Sequence, residues 1–164
     1  MTTRGLVLIT ALALTALPSL ASAQHTYGDG FGIGGVLLPS GSPTLLGITR
    51  IGDALGLEFS LGLDFQDDGD FSETDVGAGV AVKKYLTDRK QFQPFFGGRF
   101  GFHHHSRDTG RDEMNDTRLG VAALLGGEYF ITRKLSFEGE LSFRLYFGSV
   151  EIGTGTRLAA LFYL

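Results

Sequence analysis

Hydrophobic residues alternate with small or polar residues over much of this chain. In the clearest stretch, residues 135–147, every odd position is Leu, Phe or Gly, whereas the even positions include Glu138, Glu140 and Arg144. Successive side chains of a β-strand point to opposite faces, so this stretch has one apolar face and one ionic face. A helix would mix these residues around its circumference. The period of two therefore predicts a strand.

The alternation recurs along the chain and predicts eight strands. They cover residues 31–37, 44–51, 55–65, 76–83, 96–103, 119–128, 135–147 and 157–164. Only the second lacks a decisive parity, because its apolar residues fall on both faces. Long turn-rich stretches (residues 39–43, 67–70, 107–116 and 149–155) alternate with short ones (52–53, 87–90 and 132–134). Long connections at one end and short ones at the other are typical of an up-and-down β-barrel that crosses a membrane.

The first 23 residues have the pattern of a secretory signal peptide. Arg4 precedes an apolar run from Leu6 to Leu17, and a small-residue end, Ala21-Ser22-Ala23, follows. A positive start, an apolar centre and an A-x-A end are the three parts of such a signal. The alternative is an uncleaved anchor, but the run is shorter than the ~20 residues of a membrane span. We expect cleavage after Ala23 and a barrel domain over residues 24–164.

The face opposite the Leu/Phe face consists mainly of Gly and Ala with a few large ions. A soluble barrel would instead show water a face rich in Lys, Thr and Ser. Small residues and paired ions fit the lumen of a narrow eight-stranded barrel, where side chains fill the interior. The predicted luminal ions are Glu58, Asp64, Lys83, Arg99, Glu128, Glu138, Glu140, Arg144 and Arg157, with Arg50 as a further candidate.

These features predict an all-β, eight-stranded antiparallel up-and-down transmembrane β-barrel whose Leu/Phe face meets hydrocarbon. Closure leaves no strand edge unpaired, as lipid requires. Aromatic residues near strand ends are expected to form interfacial girdles. These residues are Tyr85, Phe92, Phe96, Tyr129, Phe130, Phe147 and Tyr163. The near-balance of luminal acids and bases predicts a plugged lumen, because unpaired buried charges are costly, and Glu58 is expected to face Arg144.

Composition narrows the functional classes. The chain has no Cys, which excludes a thiolate nucleophile and thiolate zinc sites. Its net charge is −4 with no dense basic stripe, so nucleic acid is not an expected partner. Glycine accounts for 25 of the 164 residues, which disfavours a helical bundle.

Four segments resemble one known family. They are the strand over residues 76–86, Pro94-Phe95-Phe96-Gly97-Gly98, Gly127-Glu128-Tyr129-Phe130 before a short turn, and the amphipathic C-terminal strand. Together they are similar to the eight-stranded outer-membrane barrels of Gram-negative bacteria, which include the OmpA transmembrane domain, OmpX and opacity-like proteins. The resemblance implies contact with outer-membrane lipids and lipopolysaccharide, and insertion by an assembly machinery that recognises the C-terminal strand. Family members usually end in an aromatic residue, whereas this chain ends in Leu164.

The predicted function is that of a non-enzymatic outer-membrane protein with a structural or surface-interaction role through its extracellular loops. The alternative is a small porin-like channel. A third hypothesis is a lipid A deacylase, because His104 and Ser106 are similar to the His-x-Ser pair of PagL-type barrels. A serine nucleophile needs a base and an acid that orients it, and no acid has an evident position beside His104.

Two groups of residues have the types that bind metal ions, and the alternative for each is a solvated surface. His103 and His105 are spaced to share an ion with Asp108 or Asp112. The acidic stretch from Asp67 to Asp75 offers hard oxygen ligands for Ca²⁺ or Mg²⁺, without the frame of an EF-hand. We expect a solvated surface in both places and therefore no metal site. We also expect no cofactor and no catalytic residue.

Overall fold

The computed structural model describes residues 27–38, 44–67, 72–87, 90–108, 113–147 and 151–164. These residues form a closed antiparallel barrel of eight strands in sequence order, which confirms the predicted fold. The strands are β1 (Phe31–Leu38), β2 (Thr44–Ile51), β3 (Leu55–Asp67), β4 (Ser72–Tyr85), β5 (Phe92–Asp108), β6 (Glu113–Phe130), β7 (Leu135–Phe147) and β8 (Glu151–Tyr163). The described residues contain no helix that could span a membrane. The predicted signal peptide lies outside them.

Several strands extend beyond their predicted limits. The predicted turn over residues 107–116 is mostly strand, since β5 continues to Asp108 and β6 begins at Glu113. Likewise β8 begins at Glu151, inside a stretch predicted to be a turn. In both places the apolar alternation stops while the backbone ladder continues, because pairing between strands needs only backbone N–H and C=O groups. Hydrophobic alternation therefore underestimates the length of strands that continue beyond the apolar layer.

The two ends of the barrel differ in the height of the wall. The turn end carries the connections over residues 52–54, 86–91 and 131–134, and Gly52 adopts the left-handed φ of 65° that its tight turn requires. We call the opposite end the loop end. There β5 and β6, with 17 and 18 residues, rise far above β1 and β2, with eight each. The barrel thus has one tall wall.

The outer face of the barrel is an apolar band, as the strand parity predicts. Large side chains such as Phe59, Phe100, Leu125 and Phe143 point outward and are exposed. Soluble monomers rarely expose contiguous apolar patches larger than a few hundred Å², so this surface is suited to hydrocarbon.

The inner face settles the parity of β2. Leu46 and Ile48 are buried inside the barrel with Arg50, whereas Leu45 and Ile51 point outward. The two inward side chains pack with Phe130, Ala159, Leu161 and Tyr163 in a small apolar cluster near the turn end. A mixed strand of this kind fills part of the lumen with aliphatic groups, and its apolar residues are divided between core and outer surface.

The predicted aromatic girdle is wrong for three of its seven members. Tyr85, Phe130 and Tyr163 are buried inside the lumen, whereas Phe92, Phe96, Tyr129 and Phe147 point outward and are exposed. The reason is parity: the three inward residues share the parity of Lys83, Glu128 and Arg157 on their own strands. Position near a strand end does not by itself place an aromatic ring on the outer surface.

Candidate functional site

Six charged side chains meet in the middle of the lumen, and we call them the central ion cluster. The cluster consists of Glu58, Lys83, Arg99, Glu138, Glu140 and Arg157, contributed by β3, β4, β5, β7 and β8. Small residues make room for the long side chains. Lys83 lies between Gly56 and Gly97 on the neighbouring strands, and Arg99 lies between Ala81 and Ala122. The Gly- and Ala-rich inner face is therefore the space that the ions fill.

Lys83 and Arg99 connect carboxylates that lie on opposite walls. The Lys83 ammonium group donates to Glu58 and to Glu138 Oε2, the latter at 2.6 Å. The Arg99 guanidinium group donates to both oxygens of Glu140 at 2.7 and 2.9 Å and to Glu58 Oε1 at 2.8 Å. These contacts tie β3 to β7 across the lumen.

Arg157 contacts all three carboxylates of the cluster. Its Nη1 and Nη2 atoms donate to the two oxygens of Glu58 at 2.7 and 2.8 Å. Nη2 also lies 2.7 Å from Glu138 Oε1 and 2.9 Å from Glu140 Oε2. The planar fork of arginine suits such bidentate contacts with carboxylates.

The central ion cluster is electrically balanced and largely shielded from solvent. Three carboxylates face three cations, and the side chains of Glu58, Lys83 and Glu138 are at most 1% exposed. An uncompensated buried charge costs several kcal/mol, about 3–5 when one partner of a buried pair is removed. The oxygens of Glu58, Glu138 and Glu140 lie close enough together to hold a metal ion, but Lys83, Arg99 and Arg157 already neutralise them.

A second buried network surrounds Glu128 closer to the turn end. Arg50 Nη2 donates to Glu128 Oε2 and to Gln93 Oε1, both at 2.8 Å. Ser136 and Tyr163 donate to the other oxygen of Glu128 at 2.5 and 2.7 Å. Tyr85 donates to Glu128 Oε2 at 3.3 Å, and Arg50 stacks 3.3 Å from the centre of its ring. We call these residues the Glu128 network.

Two of the nine predicted luminal ions lie outside both networks. Asp64 faces inward near the loop end, opposite Asp75. Arg144 donates from Nε to Ser142 Oγ at 3.2 Å, and its guanidinium group fits against Gly155, where an added Cβ would lie 2.6 Å from Nη2. The sequence analysis expected Glu58 to face Arg144, but the structure does not pair these two residues. Strand order shows which strands face each other across the barrel. The stagger between strands sets the height of each side chain along the barrel axis, and therefore which side chains meet.

The lumen above the central ion cluster is open. A cavity of about 530 Å³ lies there, lined by Ser60, Arg99, His103, Arg118, Arg144 and Arg157 among others. The described part of the lumen therefore has two unlike halves. The turn half is filled by ions and aromatic rings, and the loop half is an open cavity lined by small, apolar and charged residues.

At the loop end, two histidines of β5 and two carboxylates of β4 lie side by side on the inner face of the barrel. His105 Nδ1 lies 3.0 Å from Asp75 Oδ1 and 3.8 Å from Glu73 Oε1, and His103 Nε2 lies 3.3 Å from Asp75 Oδ1. We call these four residues the rim cluster. The sequence analysis expects solvated histidines here, with an ion shared with Asp108 or Asp112 as the alternative; Asp112 lies outside the described residues, as do Asp68 and Asp70 of the acidic stretch.

The His104 and Ser106 pair shares the parity of the outward residues Phe100 and Phe102. His104 Nδ1 makes a 2.8 Å hydrogen bond with Thr117 Oγ1, which is a hydroxyl group and not a carboxylate. A catalytic triad requires an acid to orient the histidine. The contacts of His104 thus do not assemble one.

Some residues of the Glu128 network escaped the sequence analysis. Tyr85 and Tyr163 were assigned to the outer girdle, and Gln93 and Ser136 were not assigned a role. Inward parity on their own strands was the available signal, because Tyr85 follows Lys83 by two positions and Ser136 precedes Glu138 by two. A buried ion needs hydroxyl and amide partners as well as an opposite charge, so such residues are expected beside it.

The fold matches solved outer-membrane barrels at low sequence identity. Neisserial surface protein A is 15% identical with a TM-score of 0.53, over 80% of this chain and 90% of that chain. The N-terminal barrel domain of Pseudomonas aeruginosa OprF is 10% identical with a TM-score of 0.58, over 80% and 95%.

A third match is Ail, the attachment invasion locus protein of Yersinia pestis. It is 9% identical with a TM-score of 0.53, over 82% of this chain and 93% of that chain. Ail has also been solved in complex with the heparin analogue sucrose octasulfate. No protein-family model and no curated protein matches the chain. The chain thus has the closed eight-stranded fold of these outer-membrane barrels.

Proposed function

We propose that this chain is a non-enzymatic integral outer-membrane barrel with a sealed lumen and a structural or surface-interaction role. The central ion cluster carries the proposal. Its six side chains bridge β3, β4, β5, β7 and β8 across the barrel axis, and the Glu128 network fills the space beneath it. A continuous water path through the lumen would require several of these buried ion pairs to break, and breaking them has a large free-energy cost.

The apolar outer band and the fold shared with outer-membrane barrels support a place in the outer membrane. Within this proposal the N-terminal 23 residues direct export, the outward Leu and Phe side chains meet lipid and lipopolysaccharide, and the C-terminal strand is read by the assembly machinery. The tall β5–β6 wall and the connections at the loop end then face the outside. A surface contact at that end is in keeping with Ail, whose complex with a heparin analogue has been solved.

A small channel is the second candidate, and the cavity favours it. An open cavity of about 530 Å³ lies above the central ion cluster, so only the lower half of the lumen separates it from the turn end. The two candidates differ in one observable, the passage of ions through the lower half.

Planar-bilayer conductance distinguishes them. The full chain is expressed in a Gram-negative host and purified in detergent from the outer-membrane fraction, and recovery in that fraction tests the location. We expect the wild-type barrel to be silent. The double variant Lys83→Ala/Glu138→Ala removes one buried pair, 2.6 Å apart, without leaving a net charge, and is expected to give discrete conductance steps.

The control is Arg144→Ala, which changes a cavity residue outside the two networks and is expected to stay silent. Discrete steps in the wild-type protein would overturn the sealed lumen and put the small channel first. A silent double variant that remains folded, judged by its altered gel mobility before boiling, would show that the central ion cluster is not the barrier.

A further inference from the structure

We propose that the rim cluster, Glu73, Asp75, His103 and His105, binds a divalent transition-metal ion of the Zn²⁺ type on the inner wall at the loop end. The proposal is independent of the sealed lumen, because the rim cluster lies outside the central ion cluster and the Glu128 network.

The strand register brings the four side chains together. Asp75 on β4 lies directly opposite His105 on β5. Glu73 and His103 are each two positions away on the same strands, so all four side chains point to the inner face. Three consecutive histidines cannot share one ion on a strand, but His103 and His105 can, because His104 between them points outward.

The donor atoms have the separations of a metal site. Zn²⁺ bonds of roughly 2.0–2.2 Å to nitrogen and oxygen place neighbouring ligand atoms about 3.3–3.6 Å apart in a tetrahedron. Here Asp75 Oδ1 lies 3.0 Å from His105 Nδ1 and 3.3 Å from His103 Nε2, and Glu73 Oε1 lies 3.8 Å from His105 Nδ1. Donor atoms of Glu73, Asp75 and His105 all lie within 4.8 Å of one another. His103 is close to Asp75 but outside this group of three, so its side chain has to rotate to coordinate the same ion.

The chemistry of the donors selects the class of metal. Two imidazole nitrogens and two carboxylate oxygens suit Zn²⁺ and its transition-metal neighbours, whereas Ca²⁺ and Mg²⁺ prefer oxygen ligands alone. The side chains of His103, His105, Glu73 and Asp75 are 50, 29, 28 and 21% exposed, and His103 lines the luminal cavity. An aqueous ion therefore has access to all four.

The surrounding charges favour a cation at this position. Asp64 on β3 lies directly opposite Asp75 of the neighbouring strand on the inner face. Two like charges at directly opposite positions of paired strands repel each other and are destabilising. On the far side, Asp116 lies opposite His105 but is bound by Arg118 at 2.6 Å. Two arginines are also near: Arg107 lies opposite Glu73, and Arg118, which is paired with Asp116 and Glu151, lies opposite His103. We therefore expect Asp75 and the two histidines to contribute more than Glu73.

Calorimetric titration with ZnCl₂ tests the site. The full chain is purified in detergent without a histidine tag, and Mg²⁺ is present in excess. We expect one saturable Zn²⁺ per chain. Asp75→Asn and His105→Gln are each expected to weaken binding by at least about tenfold, because even an outer-shell partner of a metal ligand contributes about 10–100-fold. Zn²⁺ is expected to raise the melting temperature of the wild type and not of these variants.

His104→Gln is the matched control, since it removes a histidine from the same tripeptide but from the outer face. It is expected to keep wild-type affinity. Equal weakening by His104→Gln and His105→Gln would overturn the proposal, as would the absence of saturable binding to the wild type. Gel mobility before boiling verifies that each variant is folded. Should Asp75→Asn or His105→Gln fail this check, His103→Gln, at a half-exposed position, decides between the outcomes.

Discussion

The two halves of the lumen are built from similar residue types and behave differently. In the turn half, the single carboxylate of Glu58 contacts three cations, Lys83, Arg99 and Arg157, whose side chains are at most 14% exposed. In the loop half, Arg144 has a serine hydroxyl as its hydrogen-bond partner, and Asp64 and Asp75 face each other beside an open cavity. Burial and partner number, rather than residue type, decide whether a luminal charge holds the barrel together.

The largest effect is expected from Glu58→Gln. The substitution keeps the shape of the side chain but leaves Lys83, Arg99 and Arg157 with two carboxylates instead of three. Breaking a buried network in this way is expected to lower the free energy of unfolding by about 3–5 kcal/mol. Urea unfolding in detergent, followed by gel mobility, measures the change.

The same substitution at Glu151 is the control for Glu58→Gln. Glu151 is more than half exposed and contacts Arg118 at 3.3 Å, so Glu151→Gln is expected to change stability by less than about 0.5 kcal/mol. Equal effects at the two positions would mean that burial does not separate the halves.

An intermediate effect is expected from Tyr163→Phe. The variant removes a 2.7 Å hydrogen bond to the buried Glu128 carboxylate, which is expected to cost about 1.5–3 kcal/mol in unfolding free energy. Tyr129→Phe makes the same change on an outward ring and is expected to cost less than about 0.5 kcal/mol. If both variants unfold at the same urea concentration, the Glu128 network does not stabilise the turn half.

Among the luminal variants, the smallest effect is expected from Arg144→Ala. Its one described hydrogen bond, to Ser142, predicts a loss of about 1 kcal/mol, whereas Arg157→Ala is expected to lose about 3–5 kcal/mol. Both arginines face the lumen on adjacent strands, so the pair compares the halves directly. A loss at Arg144 as large as that at Arg157 would show that the loop half is also held by its ions.

Much of the architecture follows from the alternation of residues. The eight strands and the parity of seven of them come from the alternation in stretches such as Leu135 to Phe147, because a strand has only two faces, whereas the up-and-down order comes from the alternating long and short connections. Parity also places Tyr85, Phe130 and Tyr163 in the lumen, but nearness to a strand end was given more weight. The alternation ended β5 too early and began β6 too late, because a ladder outside the apolar layer continues without a hydrophobic signal.

The sequence by itself predicted which charged residues share the inner parity and that their charges nearly balance. Only the tertiary structure decided which charges meet, placing Glu58 with Arg157 rather than Arg144 and bringing Asp75 to His103 and His105. The physical reason is stagger. Residue parity is a local property of each strand, whereas the height of a side chain depends on the register of every strand around a closed barrel.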